Sequence, residues 1–294
     1  MQEKNNLLAW SMLLLLAVIW GSSFILMKKG LESFSASQVA ALRLSISGFS
    51  LLPFAIQFFK SIPTKDWKWV LLVGLFACGF PYFLFVFAET KLDSGLTGIL
   101  NSLTPLFTLI FGFLLFSKKY PWRKWMGIFI GFVGASVLVA GGGIGNENFV
   151  EQLPSVGLAT LATICYGISS NLLKQKCNHL NPVGLSAWML MLMAIPTSLY
   201  LCFIEPFPIT SMSETMTASL GFVSILAIIG TAAASVMFNK VIQIKDAVFG
   251  ASVTYMIPIV AVIWGLLIKE NLHWMQLLGM AVILLGIYIA NQSN

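Results

Sequence analysis

Two histidines, His179 and His273, and four cysteines, Cys78, Cys165, Cys177 and Cys202, carry most of the nucleophilic and metal-ligating chemistry in this chain. Catalysis inside a membrane or a core needs acids, bases or metal ligands that converge. The cysteines show no CxxC or metal spacing and read as small apolar packers. The histidines fall in different loops, and the loop charges below put those loops on opposite faces. No Asp/Glu pair lies inside any apolar run, and no Ser–His couple is feasible. The expectation is therefore no enzyme, no metal and no cofactor. What remains is chemistry of recognition: amides, phenols, hydroxyls and one arginine set within apolar stretches.

Those residues fall into a pattern. Pro105 and Pro258 sit near the middle of apolar runs, and a proline in a helix frees a carbonyl that needs a partner. Asn101 lies one turn before Pro105, and Thr254-Tyr255 lie one turn before Pro258. A broken helix with an amide or phenol at mid-depth is how a substrate site is built in a membrane. Asn101 and Tyr255 are expected to bond a polar substrate; the alternative is a packing kink. Trp20, Tyr82 and Tyr166 could wall such a site, with helix packing the competing role for Trp20. Ser23, Ser169, Ser235 and Asn239 offer small polar contacts, although hydroxyls also bond helix carbonyls. Arg43 is a charge within a span, where insertion scales put its cost at roughly 2.5–3.5 kcal/mol. The ordinary expectation is that it reaches the outer surface or bonds carbonyls; the sharper one is that it binds a substrate carboxylate. Glu89 is expected to pair with Lys91 at the interface, or else to carry a coupling proton.

The elements that position these residues follow from composition. The chain is 58% apolar and 10% charged, against about 25% charged for a soluble domain, so its solvent must be mainly lipid. About ten runs of roughly 20 residues can span a bilayer: 7–27, 37–59, 67–88, 94–116, 123–141, 154–174, 182–204, 216–240, 247–268 and 273–290. Strands of a barrel would be half as long and would alternate, so the expected class is an all-α membrane protein. The first run is too long for a signal peptide, and no small-x-small site precedes Lys28-Lys29. Trp10, Trp67, Trp69, Trp122, Trp125 and Trp274 fall at span ends as interfacial anchors, whereas Trp20, Trp188 and Trp264 lie deeper.

Loop charges orient the chain. With the N-terminus inside, the inner segments hold twelve Lys and Arg residues and the outer ones four. Both termini are then cytoplasmic, with Lys28-Lys29 as the exception. The net charge of +6 is thus topological, and no nucleic-acid partner is expected. The chain also repeats itself. Trp20-Gly21-Ser22-Ser23, with Lys28, is echoed by Tyr166-Gly167-Ile168-Ser169, with Lys174; Gly127 and Gly134 are echoed by Gly279 and Gly286. Five spans per repeat is odd, so residues 1–145 and 146–294 are expected to insert in opposite senses about an axis in the membrane plane. Gly141-Gly142-Gly143-Ile144-Gly145 reads as a flexible linker between them, since no Gly-Lys-Ser/Thr follows it.

Several of these pieces together resemble the EamA-type members of the drug/metabolite transporter superfamily. They are Trp20-Gly21 with Lys28, Leu42-Arg43, Pro105 and Pro258, the run from Leu267 to Glu270, and both seven-spaced glycine pairs. Ser117 and Trp188 depart from the family pattern. The resemblance implies a ten-helix carrier of a bacterial inner membrane, commonly an exporter of amino acids or related metabolites. It also implies a central cavity lined mainly by spans 1, 3, 4, 6, 8 and 9. The partners expected are lipid, a small-molecule substrate and a proton as candidate coupling ion, in a monomer or weak dimer. An importer or exchanger of another metabolite or drug, or a channel, is the alternative.

Overall fold

The computed structural model of the chain describes residues 2–92, 94–140, 149–206, 213–267 and 274–291. Every regular element among them is helical. Five stretches are long and apolar enough to cross a membrane: Asn6–Leu31, Thr64–Glu89, Gln152–Lys176, Pro182–Phe203 and Glu214–Ile244. A sixth forms if Ala36–Ser50 and Leu52–Ser61, bent by 53°, count as one span. Thr104–Phe116, Ala247–Val260 and Leu277–Ala290 are apolar but shorter. The glycine run 141–145, Glu270 and His273 lie outside the described residues, as does the side chain of Trp264.

Breaks explain why several expected spans are short. Helices α1 (Gln2–Leu31), α2 (Ala36–Ser50) and α3 (Leu52–Phe58) open the chain, and Pro53 sits in the first turn of α3 just past the bend. Between α4 (Trp67–Gly74) and α5 (Phe80–Glu89), residues Leu75–Gly79 form a π-helical turn. The next span is two helices, α6 (Ser94–Asn101) and α7 (Thr104–Phe116), with Pro105 in the first turn of α7. A broken helix was the expectation at Pro105, with a packing kink as the alternative. Pro105 stands in the first turn of a new helix, because a first-turn N–H has no helical partner to lose. The chain continues with α8 (Trp122–Ala140), α9 (Phe149–Lys176) and α10 (Pro182–Phe203). A second π-helical turn, Ile228–Ala233, joins α11 (Glu214–Ala227) to α12 (Ala234–Ile244). Short α13 (Ala247–Ala251) precedes α14 (Val253–Leu267), which contains Pro258, and α15 (Trp274–Asn291) follows.

Glycines set the packing where backbones touch. Helices α8 and α15 run antiparallel along their lengths. A Cβ at Gly127 would collide with the Gly286 carbonyl at 2.7 Å, and one at Gly134 would lie 2.6 Å from the Ile283 nitrogen and 3.0 Å from the Gly279 carbonyl. The seven-residue spacing thus matches glycine to glycine across one seam, the close approach that drives helix association where lipid supplies no hydrophobic force. Gly21 packs on Val260 of α14, and Gly167 on Phe107 of α7, each leaving 2.8 Å for an added Cβ. Helices α2 and α10 form a second antiparallel pair, with Gly48 under Leu190 and Ala194. Large apolar side chains such as Leu14, Phe113, Phe129, Leu199 and Leu284 stay exposed, facing where acyl chains would lie.

At the entry to α2, Ser35 caps the helix, and its hydroxyl and that of Ser37 donate to Glu205 at 2.5 Å each. Tyr200 adds a third bond at 2.7 Å. All three favour the charged carboxylate and hold Glu205 below the ordinary carboxylate range.

Two predictions follow from the packing. Gly286→Ala should cost roughly 1–3 kcal/mol in thermal unfolding of detergent-solubilised protein, whereas Gly221→Ala, with nothing within 4 Å of its Cβ, should be neutral or stabilising; equal effects would reject the seam. The Glu205 contacts are worth most above the pKa of an unfolded carboxylate, about 4.3, and fade as pH falls through the lowered folded value. Acidification should therefore lower the melting temperature by less in Glu205→Gln than in the unaltered protein.

Candidate functional site

The first π-helical turn, through Ala77, and the residues beside the two helix breaks line a cavity of about 120 Å³. At 10–15 Å³ per water it has room for roughly eight to twelve waters, or a small organic molecule. Most of its wall is apolar and aromatic, which is the usual make-up of a small-molecule site with a few orienting polar groups.

Trp20 reaches the wall from α1. Its indole donates to the Gly230 carbonyl at 2.9 Å, and its ring meets Phe238 edge-on at 5.2 Å. The widened turn in which Gly230 sits leaves carbonyls without the usual helical donor. Thr231 Oγ1 donates to Leu226 O at 3.1 Å, and Ser47 Oγ donates to Ala227 O at 3.0 Å. Arg43 on α2 then donates from Nε to Thr231 Oγ1 at 2.7 Å and lays its guanidinium over the Tyr82 ring, 3.8 Å from the centroid. The ordinary expectation put Arg43 at the outer surface or on helix carbonyls, and the sharper one on a substrate carboxylate. The side chain is buried and lines the cavity, because the π-turn supplies a hydroxyl and Tyr82 a π-face at that depth.

Asn101 also lines the cavity. Pro105 cannot donate to the Asn101 carbonyl, and Thr104 Oγ1 does so at 2.7 Å. In the opposite broken span the carbonyl that Pro258 frees is Thr254 O, and Ser102 Oγ approaches it at 3.4 Å. Tyr82, Tyr166, Ser23, Ser169, Ser235 and Asn239 lie on the wall as well. Tyr166 stacks on Phe85 with centroids 5.8 Å apart. Ser23 and Ser169 bond carbonyls of their own helices, and Asn239 donates to Ser186 at 2.8 Å.

Two expectations are corrected. Tyr255 does not line the cavity. Its hydroxyl donates to Ile128 O at 2.7 Å and its ring lies against Gly131 of α8. One residue step turns a side chain by about 100° around a helix, so Thr254 faces the cavity and Tyr255 turns away from it. Glu89 is neither solvated nor paired with Lys91. It is buried at the end of α5, beside the apolar cluster of Phe85, Ala88, Leu92, Ala159 and Ala162, and neither carboxylate oxygen has a hydrogen-bond partner. Trp188, the other deep tryptophan described, packs edge-on against Trp67 at 4.8 Å and bonds Ala55 O, away from the cavity.

Other wall residues escaped the sequence reading. Ser170 is buried with no hydrogen-bond partner, and Thr104, Met27 and Phe238 also lie on the surface. Asn171 clamps α9 to α7, donating to Thr108 O at 2.8 Å and Gly167 O at 2.9 Å. Its amide within an apolar run was the available signal. Among the described residues no group of three or more His, Cys, Asp or Glu is placed to hold a metal.

Tyr255→Phe should leave the Ile128 carbonyl without this donor and cost about 1–3 kcal/mol in thermal unfolding, while ligand-induced stabilisation keeps its size. A loss of ligand response in this variant would return Tyr255 to the cavity wall.

Comparison with known proteins places this geometry. The EamA-like transporter family model matches residues 7–140 and 153–292. The chain is 27% identical over 296 residues to the inner membrane transporter YedA of Escherichia coli (strain K12), covering 98% of this chain and 92% of that one. It is 25% identical over 281 residues to a transporter of Archaeoglobus fulgidus, covering 95% and 97%. It is 25% identical over 295 residues to a protein of Salmonella typhimurium (strain LT2) described as a probable amino-acid metabolite efflux pump, covering 98% and 95%. One solved crystal structure shares the fold with a TM-score of 0.73 at 17% identity, over 98% of this chain and 96% of that one. The apolar helices and these relatives agree on a multi-pass protein of the inner membrane. The chain belongs to the EamA-like transporter family.

Proposed function

We propose that this transporter works by alternating access, with two inverted five-span repeats, residues 1–145 and 146–294, closing around the cavity. The observation that carries the reading is a pair of equivalent contacts. Gly21 of the first copy of the repeated motif packs on Val260 near Pro258, and Gly167 of the second copy packs on Phe107 near Pro105. Each half therefore docks its motif glycine on the broken span of the other half. Contacts that exchange when the halves exchange give two packings of similar energy, one open to each side. Paired π-turns at Leu75–Gly79 and Ile228–Ala233, and the antiparallel α8–α15 seam, support the same symmetry. With ten spans, both termini are cytoplasmic, as the loop charges favour.

The substrate is a small amphipathic metabolite, amino-acid-like, moved outward. The aromatic wall, the sparse charge and the name of the Salmonella relative support that class. Asn101, Ser169, Ser170, Ser235 and Asn239 orient it, and no bond is made or broken in it. Glu89 is the coupling group: a buried carboxyl with unbonded oxygens, within the fields of Lys28 on α1 and Arg43 on α2.

Counterflow in proteoliposomes tests the carrier mechanism, since labelled amino acid should accumulate against unlabelled amino acid; simple equilibration would indicate a channel. Asn101→Ala should lower that exchange at least tenfold with normal membrane insertion. Glu89→Gln should keep counterflow but lose accumulation driven by a pH gradient. Retention of that accumulation would remove the proton from the mechanism.

A further inference from the structure

Among the described cavity-lining residues Arg43 is the one with a formal charge. Its side chain is more than nine-tenths buried. Of the five N–H donors a guanidinium carries, the Nε group is taken by Thr231 and one face is taken by Tyr82. The Nη groups bond no acceptor among the described residues. The nearby carboxyl, Glu89, forms no ion pair with it and leaves both of its own oxygens unbonded. Arg43 is thus a fixed, aligned cation on a cavity whose other described lining residues are uncharged and mostly apolar.

We infer that Arg43 anchors a carboxylate of the transported molecule, and that the cavity selects aromatic or aliphatic monocarboxylates over amines. This rests on the transport reading above and narrows its substrate class. The free Nη groups suit a planar anion held by two parallel hydrogen bonds. A dianion such as a phosphate monoester would bring a second charge that nothing on the wall compensates. An amine would place a second cation in a cavity whose described lining carries no acid. Two further donors on the wall, the unpartnered Ser170 hydroxyl and the Asn101 amide N–H2, can meet the outer oxygens of the carboxylate. Trp20, Phe85 and Phe238 hold the hydrocarbon part. By this arrangement the amino group of an amino acid is dispensable for binding.

Four matched probes test this on the purified full-length protein by thermal shift and isothermal titration: 3-phenylpropanoate, 3-phenylpropanamide, phenylalanine and phenethylamine. Ligands that prefer the folded state raise its melting temperature. 3-Phenylpropanoate should bind at least as tightly as phenylalanine and at least tenfold more tightly than the amide or the amine. In Arg43→Gln the advantage of the acid over the amide should vanish, and in Arg43→Lys it should shrink. If either substitution prevents folding, the four probes on the unaltered protein decide the matter. Equal binding of acid and amide, or tighter binding of the amine, overturns the anchor and leaves the cavity standing. Binding by none of the four also overturns it, while counterflow judges the carrier reading separately.

Discussion

A backbone carbonyl or amide inside a lipid-embedded fold must find its partner within the protein, because no water is there to replace it. This constraint governs the centre of the molecule. Two π-helical turns, two helix breaks and a bend interrupt the regular ladders at mid-span, and each releases carbonyls. Side chains from neighbouring spans take many of them up. Trp20 bonds Gly230, Ser47 bonds Ala227, and Ser102 approaches Thr254. The irregular backbone that shapes the cavity is therefore also the material that ties the spans together.

The satisfied and unsatisfied groups divide by role. Bonds that close on carbonyls fix the geometry of the wall. A buried polar group without a partner is costly, and the Ser170 hydroxyl and the Glu89 carboxyl are two such groups. In the proposed mechanism these groups and the Nη donors of Arg43 are the ones that meet a ligand or a proton. The outer parts of the fold behave differently. The α8–α15 seam is built of glycine backbones in contact.

Much of this was legible from residue types. Composition alone required lipid as solvent, and the repeated Trp/Tyr-Gly motif, the two prolines and the seven-spaced glycines each mark a real packing position. The wall residues Trp20, Tyr82, Asn101 and Tyr166 could be chosen in advance because large aromatics and amides have no use on a lipid-facing surface. The choice between Thr254 and Tyr255 could not. Their neighbours in sequence are alike, and the outcome depends on the rotation of α14 against α8, where Gly131 leaves space for the phenol. The π-turns were equally hidden, since an extra residue in a helical turn leaves no compositional mark.

The amino-acid sequence by itself determined the solvent, the helical class and the places where backbones meet, because these depend on hydropathy and side-chain size read along one dimension. Tertiary structure alone decided which polar groups are paired. Arg43 could have snorkelled outward and Glu89 could have been wet; their fates rest on Thr231 and Tyr82 standing beside one, and an apolar cluster enclosing the other. Hydrogen bonds act over about 3 Å, and residues 188 apart in the chain come that close only once the helices have packed.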